Sequence, residues 1–322
     1  MKAPDIYELT LRDGLMARPT LDRGMKVDLI KRLLQCSITK FEVIRFPLDG
    51  KYPQFDDGLA LLKDLQSFRA HGAVIAAFAM GEPGIDEALK FAHLFDELHI
   101  PCFVSDEYAT YAFGDWCWDK SLKVIEKTAP LCRKSGIKLT VGLGTSFGCP
   151  LRMGHKPEWT LEKVRDLTQA GITTIMIGDT AGTATPDLVR KTLDSINCGP
   201  KPETLRVHFH NTFGRALMNS WVAAEMGVDG IDTSLLGLGG EPHPYFISPN
   251  QVDNGNCATE ELFPLIVEGR ANRTPLVSSL YDTARWLSNT VKEAAPGHAC
   301  FAQFIPLPQG GSNEISQGTH RH

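Results

Sequence analysis

Val207-His208-Phe209-His210-Asn211-Thr212-Phe213-Gly214 begins as an apolar, β-prone run and passes through Asn-Thr into a helical pattern over Ala216–Met226. Side chains at i and i+2 of a strand point to one side. His208 and His210 therefore stand together where a strand ends and a helix follows. Two such imidazoles make half of a metal site, or two histidines satisfied by backbone and water. The pair in isolation leaves both readings open.

Outward from this point the same unit recurs along the chain. Strands are expected at Ile6–Leu11, Lys40–Phe46, Ala73–Ala79, Glu97–Val104, Lys138–Gly144, Thr173–Ile177, Thr204–Phe209 and Gly230–Ser234. Helical patterns separate them at Met25–Gln35, Gly58–Arg69, Ile85–Leu94, Asp119–Lys134, Leu161–Ala170 and Pro186–Ile196, with Thr259–Glu268 after the last strand. Eight strand–helix units in roughly 270 residues fit an α/β fold, a parallel (β/α)8 TIM barrel, better than an open sheet. A doubly wound sheet lacks the expected Gly-x-Gly-x-x-Gly turn. Residues 1–275 are expected to form the barrel, and 276–322 a short C-terminal helical extension with a polar tail from Pro306.

Composition narrows the function classes. The chain has 322 residues, 43% of them hydrophobic, and a net charge of −5, which disfavours general binding to nucleic acid or acidic membranes. No apolar stretch reaches the ~18 residues of a membrane helix. The N-terminus shows no signal-peptide core, and the eight cysteines form no Cys-x-x-Cys pair. Reduced thiols and a cytoplasmic location are the expectation.

In a barrel, chemistry sits at the carboxyl ends of the strands. Those ends carry Arg12-Asp13-Gly14, Glu42, Thr145–Pro150, Asp179, the two histidines, and the glycine run 237–240 with a long loop reaching Asn256. Each has a plainer alternative. Arg12 and Asp13 make an ordinary salt bridge as readily as a site. Asp179 caps a helix as readily as it reacts. The glycines serve a tight turn, or a phosphate cradle lacking the Lys-Ser/Thr of a P-loop. Glu42 inside an apolar strand is more telling, because an unpaired buried carboxylate is costly; it requires an arginine or a metal-bound water. Asp13, His208 and His210 offer one hard oxygen and two borderline nitrogens. The amide oxygen of Asn256 can complete a set suited to Mg²⁺ or Mn²⁺, with open positions for a chelating substrate.

In combination, Leu11-Arg12-Asp13-Gly14, Phe147-Gly148-Cys149-Pro150, Gly178-Asp179-Thr180, His208-x-His210-Asn-Thr-Phe-Gly214, Gly237-Leu238-Gly239-Gly240 and Gly255-Asn256-x-Ala258-Thr259-Glu260 resemble hydroxymethylglutaryl-CoA lyase and its metal-dependent barrel relatives. The resemblance spans about residues 5–270 in the same order, and the Phe-Gly-Cys-Pro and Gly-Leu-Gly-Gly segments favour the lyase branch. It implies that Asp13, His208, His210 and Asn256 are metal ligands, that Arg12 stabilises an enolate oxygen, and that Glu42 and Asp179 line the site. Self-association is expected, as for barrels of this kind.

Two departures bear on the substrate. Glu241 stands where the lyases have cysteine, followed by a longer loop through Pro242-His243-Pro244-Tyr245-Phe246, and Met16 stands where glutamine is usual. Glu241 or His243 is expected to take over proton transfer, or the substrate is not hydroxymethylglutaryl-CoA. The leading expectation is a carbon–carbon lyase that cleaves a 3-hydroxy acid or 3-hydroxyacyl-CoA by a retro-aldol or retro-Claisen route. Alternatives are a synthase condensing an acyl-CoA with a 2-oxo acid, and a non-catalytic barrel that binds a metabolite. The synthases' additional regulatory domain does not fit in the ~50 residues after the barrel.

Overall fold

A computed structural model describes residues 3–17, 21–114, 116–151, 154–199, 201–240, 255–267 and 273–291. The strands are β1 (Asp5–Glu8), β2 (Lys40–Phe46), β3 (Val74–Ala79), β4 (Glu97–Phe103), β5 (Lys138–Gly144), β6 (Thr174–Asp179), β7 (Thr204–Phe209) and β8 (Gly230–Thr233). They pair in parallel in chain order, and β8 closes onto β1 with Ile6 opposite Ile231. The (β/α)8 barrel expected from the sequence is the fold. Strands covered by helices outside and packed side chains inside read as continuous apolar runs, such as Val-Ile-Ala-Ala-Phe-Ala in β3.

The helices form where capping and periodicity agree. Asp22 accepts a hydrogen bond from Met25 N at 2.9 Å and starts helix Arg23–Gln35. Thr185 caps Pro186–Asn197, with Pro186 in the first turn and Val189, Leu193 and Ile196 buried at i, i+4 and i+7. The expected Gly58–Arg69 helix is two pieces, Gly58–Asp64 and Gln66–Arg69, joined at Leu65. A helix at Asp106–Phe113 is not among the expected ones. Ser105 caps it by accepting from Tyr108 N at 3.2 Å, and Asp106 and Glu107 favour its positive end. Helix Arg273–Thr290 packs on Arg23–Gln35, with the Arg32 guanidinium 4.7 Å from the centroid of the Trp286 ring. The polar tail from Pro306 lies outside the described residues.

One difference positions the chemistry. The pattern of the first strand extends to Leu11, but β1 stops at Glu8 and Thr10–Gly14 forms a π-helical turn. The Glu8 carboxylate accepts from Thr10 N at 2.9 Å and from the Thr10 hydroxyl, so Thr10 leaves the ladder. Gly14 N then donates to Leu9 O at 3.1 Å. Such turns recur at functional sites because they re-aim side chains; this one buries both Arg12 and Asp13.

Candidate active site

Arg206, His208 and His210 step up one side of β7 and its continuation and are all buried. At the lowest level Arg206, fully buried, donates to Glu97 Oε1 and to Asp232 Oδ1, each at 2.6 Å, and its guanidinium lies 3.5 Å from the Tyr7 ring centroid. The other Asp232 oxygen lies 3.6 Å from His208 Nδ1. Above it the His208 and His210 Nε2 atoms are 3.3 Å apart, and the ligand atoms of Asp13, His208 and His210 all lie within 4.8 Å of one another. His210 Nδ1 faces Gly255 O at 2.8 Å. A carbonyl only accepts, so Nδ1 carries a proton and donates it to Gly255 O, while Nε2 faces His208.

Asn256 completes the group. Its Nδ2 donates to Asp13 Oδ2 at 2.6 Å and to Leu238 O at 2.9 Å, while Oδ1 is buried with no hydrogen-bond partner among the described residues. Gly239 is what lets the strand 8 loop pass so close. Its φ is +121°, and a Cβ there would sit 2.7 Å from Asp13 Oδ2 and closer still to Asn256 Nδ2.

Beside this group Arg12 is held from two sides. Its Nε donates to Glu42 Oε1 and its Nη1 to Asp13 Oδ1, while the guanidinium stacks 4.5 Å above the Phe78 ring. Its Nη2 has no hydrogen-bond partner among the described residues. Glu42 also accepts from His99 Nδ1 at 2.7 Å. Burial opposes ionisation of both Glu42 and Asp13. For Glu42, Arg12 and His99 outweigh it; for Asp13, Arg12 and then the two histidines do. Both carboxyls are held well below the usual carboxylate range.

The residues fit a divalent cation. Asp13, His208 and His210 bring a carboxylate and two imidazoles together, and the Asn256 amide bound to Asp13 has a buried oxygen with no hydrogen-bond partner among the described residues, a donor set suited to such an ion. Among the described residues, Arg12 bridges the buried carboxylates of Asp13 and Glu42, and Arg206 those of Glu97 and Asp232.

A family model described as HMGL-like matches residues 3–287. The chain belongs to that family. It is 27% identical over 271 residues to the mitochondrial hydroxymethylglutaryl-CoA lyase of Macaca fascicularis, covering 81% of this chain and 77% of the relative. To the hydroxymethylglutaryl-CoA lyase YngG of Bacillus subtilis it is 25% identical over 296 residues, covering 92% and 95%. A crystal structure of the Bacillus subtilis HMG-CoA lyase superposes with a TM-score of 0.78 at 26% identity, covering 91% of this chain and 95% of that one. At the level of the HMGL-like family, lyase-type chemistry is supported.

The sequence-predicted residues divide three ways. Arg12, Asp13, Glu42, His208, His210 and Asn256 come together as described. Asp179 is fully buried, and its two oxygens accept from Thr183 N at 3.1 Å and Ala184 N at 2.9 Å, ordering the loop after β6. Burial pushes its carboxyl up to about 6 against the pull of those amides. Glu241 and His243 lie outside the described residues. Sequence reasoning missed Glu97, His99, Arg206 and Asp232, which brace this HMGL-like site from beneath. Like Glu42, each is a polar or charged group inside a barrel strand, and the cost of burying it unpaired is the signal that could have found it.

Among the described residues no helix is long and apolar enough to cross a membrane.

Proposed function

We propose that the protein is a divalent-metal-dependent carbon–carbon lyase that cleaves a 3-hydroxy acid or 3-hydroxyacyl-CoA. The observation that carries the reading is the buried cluster of Asp13, His208 and His210, with Asn256 bound to Asp13 and its Oδ1 unpartnered among the described residues, and Arg12 fixed at its edge. Asp13, His208, His210 and Asn256 would hold the ion, and Mg²⁺ or Mn²⁺ suits that mixture of oxygen and nitrogen donors. When bound, it supplies Lewis acidity toward a chelating hydroxyl, carbonyl or carboxylate oxygen.

The chain's own groups do the rest. A base takes the proton of the substrate's 3-hydroxyl as that oxygen becomes a carbonyl. The C2–C3 bond breaks, and its electron pair passes to an enolate on the acyl fragment. Arg12, locked by Glu42 and Asp13, keeps its Nη2 donor for the developing enolate oxygen. A proton delivered to C2 completes the reaction, and Glu241 or His243 is assigned to proton transfer from its place in the sequence. Asp179 shapes the rim by binding its own loop.

The test is a mass-spectrometric screen of the metal-reconstituted protein against 3-hydroxyacyl-CoAs and free 3-hydroxy acids. Cleavage to a carbonyl product and a shortened acid or thioester is expected. A protein that binds a divalent ion yet cleaves none, while releasing coenzyme A from acetyl-CoA and a 2-oxo acid, would be a synthase instead.

A further inference from the structure

A second feature of the barrel mouth is a cavity of about 500 Å³ between the ends of β2, β3 and β4, lined in part by Met16, Arg45, Lys51, Tyr52, Tyr108 and Tyr111. That volume suits a small organic group. The cavity adjoins the reacting centre on two sides. Met16 follows the π-turn that carries Arg12 and Asp13, and Arg45 is the register partner of Phe78, on whose ring Arg12 rests.

Its lining has a distinct chemistry. Arg45 is 6% exposed, and its guanidinium lies 4.3 Å from the Tyr52 ring centroid; the Lys51 ammonium lies 5.4 Å from the same ring. The opposite wall is aromatic, with Phe103 and Tyr108 at 4.9 Å between centroids and Tyr108 and Tyr111 at 6.0 Å. Among the described residues no carboxylate lines the cavity. Two cations on one ring, facing an aromatic wall, select an anion with an apolar body.

We propose that this cavity seats a carboxylate-bearing, apolar or aromatic arm of the substrate, with Arg45 and Lys51 as its specificity-determining cations. The proposal rests on the lyase reading for the word substrate, and on the cavity alone for the ligand class. Nearness to Arg12 favours an arm of the acyl group over the phosphates of coenzyme A, which hang at the far end of the pantetheine chain from the reacting carbons.

Calorimetry with benzylsuccinate, a dicarboxylate that has a ring and no 3-hydroxyl, tests this on the intact protein. Wild type should bind it, and bind its uncharged diamide at least tenfold more weakly. Arg45→Gln should weaken binding about 10–100-fold, the scale of a lost hydrogen bond to a charged group. Exposed Lys51→Gln should weaken it about two- to fivefold. Thermal melts identify a variant that has lost its fold, and Arg45→Lys, which keeps the charge, should recover part of the affinity. Equal binding of the diamide, displacement by coenzyme A, or unchanged affinity in folded Arg45 and Lys51 variants overturns the assignment. Binding through Arg45 without cleavage of any 3-hydroxy acid confirms the anion seat and refutes the lyase. Cleavage of carboxylated substrates with a KM indifferent to both cations does the reverse.

Discussion

The Asn256 side chain donates to Asp13 Oδ2 across 2.6 Å, joining residues 243 positions apart and leaving the buried amide Oδ1 without a hydrogen-bond partner among the described residues. The first turn after β1 and the segment after the strand 8 loop are thereby locked where β1 and β8 close the barrel. An amide so held is ordered before any ligand arrives, which lowers the ordering cost of binding one.

The first prediction follows from that pre-ordered group. His210→Ala should remove most bound divalent metal, and activity with it, as measured by elemental analysis of dialysed protein alongside turnover. Full metal occupancy in this variant would remove His210 from the ligand set.

Arg12→Lys separates binding from chemistry. Lysine keeps the charge but cannot reproduce the fork that reaches Glu42 and Asp13 together. Turnover should fall about 10²–10³-fold, as when an oxyanion donor is lost, with metal content nearly unchanged. Wild-type rates would leave Arg12 as a structural ion-pair partner.

Asp232 tests the support beneath the metal group. It binds Arg206 through one oxygen and approaches His208 Nδ1 with the other. Asp232→Asn should weaken metal affinity about 10–100-fold, the usual cost of losing a partner behind a ligating histidine. Stability should also fall, by as much as ~3–5 kcal/mol, because Arg206 loses half of its buried counter-charge. Lower stability with unchanged metal affinity would mean that Asp232 serves Arg206 alone.

Much of this was legible in the sequence because its signals are local. Strand–helix alternation carries the barrel, and reading only strand ends picks out Arg12, Asp13, Glu42 and the histidine pair. What escaped depends on three-dimensional closure. The π-turn arises because the Glu8 side chain captures Thr10, and no periodicity records that event. The Glu97–Arg206–Asp232 set joins three strands that meet only across the barrel interior. His99 looks like core until Glu42 is seen against its ring. The dual character of Asp179 was legible, and its contacts show a carboxylate that orders its own loop.

Glu241 replaces the thiol that the lyase resemblance leads one to expect, so efficient hydroxymethylglutaryl-CoA cleavage is not expected of this protein. Glu241→Gln should impair turnover on the true substrate with metal binding intact, because the amide cannot move a proton. Rapid hydroxymethylglutaryl-CoA cleavage by the unmodified protein would refute altered specificity, and an unaffected Gln variant would leave Glu241 a bystander.

The last prediction concerns pH and stability. Glu260 is buried, and its carboxyl accepts from Leu236 N at 3.1 Å, holding a residue whose φ is +60°. Burial pushes its pKa from 4.5 up to about 8, with backbone hydrogen bonds opposing and nearby Glu8 and Glu261 adding to the rise. Below the unfolded value both states hold the proton, and Glu260 contributes its full share of stability. Between about 4.5 and 8 the unfolded chain releases the proton while the folded protein keeps it. The folded state then binds more protons, so stability falls as pH rises, and the contribution is gone once the pH passes about 8. Glu260→Gln stays neutral and keeps an accepting oxygen for Leu236 N. Chemical denaturation at pH 5, 6.5 and 8 should show the variant gaining on wild type at each step. The difference should reach a few kcal/mol at most, since a tenfold change in a proton's dissociation constant corresponds to ~1.4 kcal/mol. A pH-independent difference between the two proteins would show that Glu260 is already ionised in the folded state.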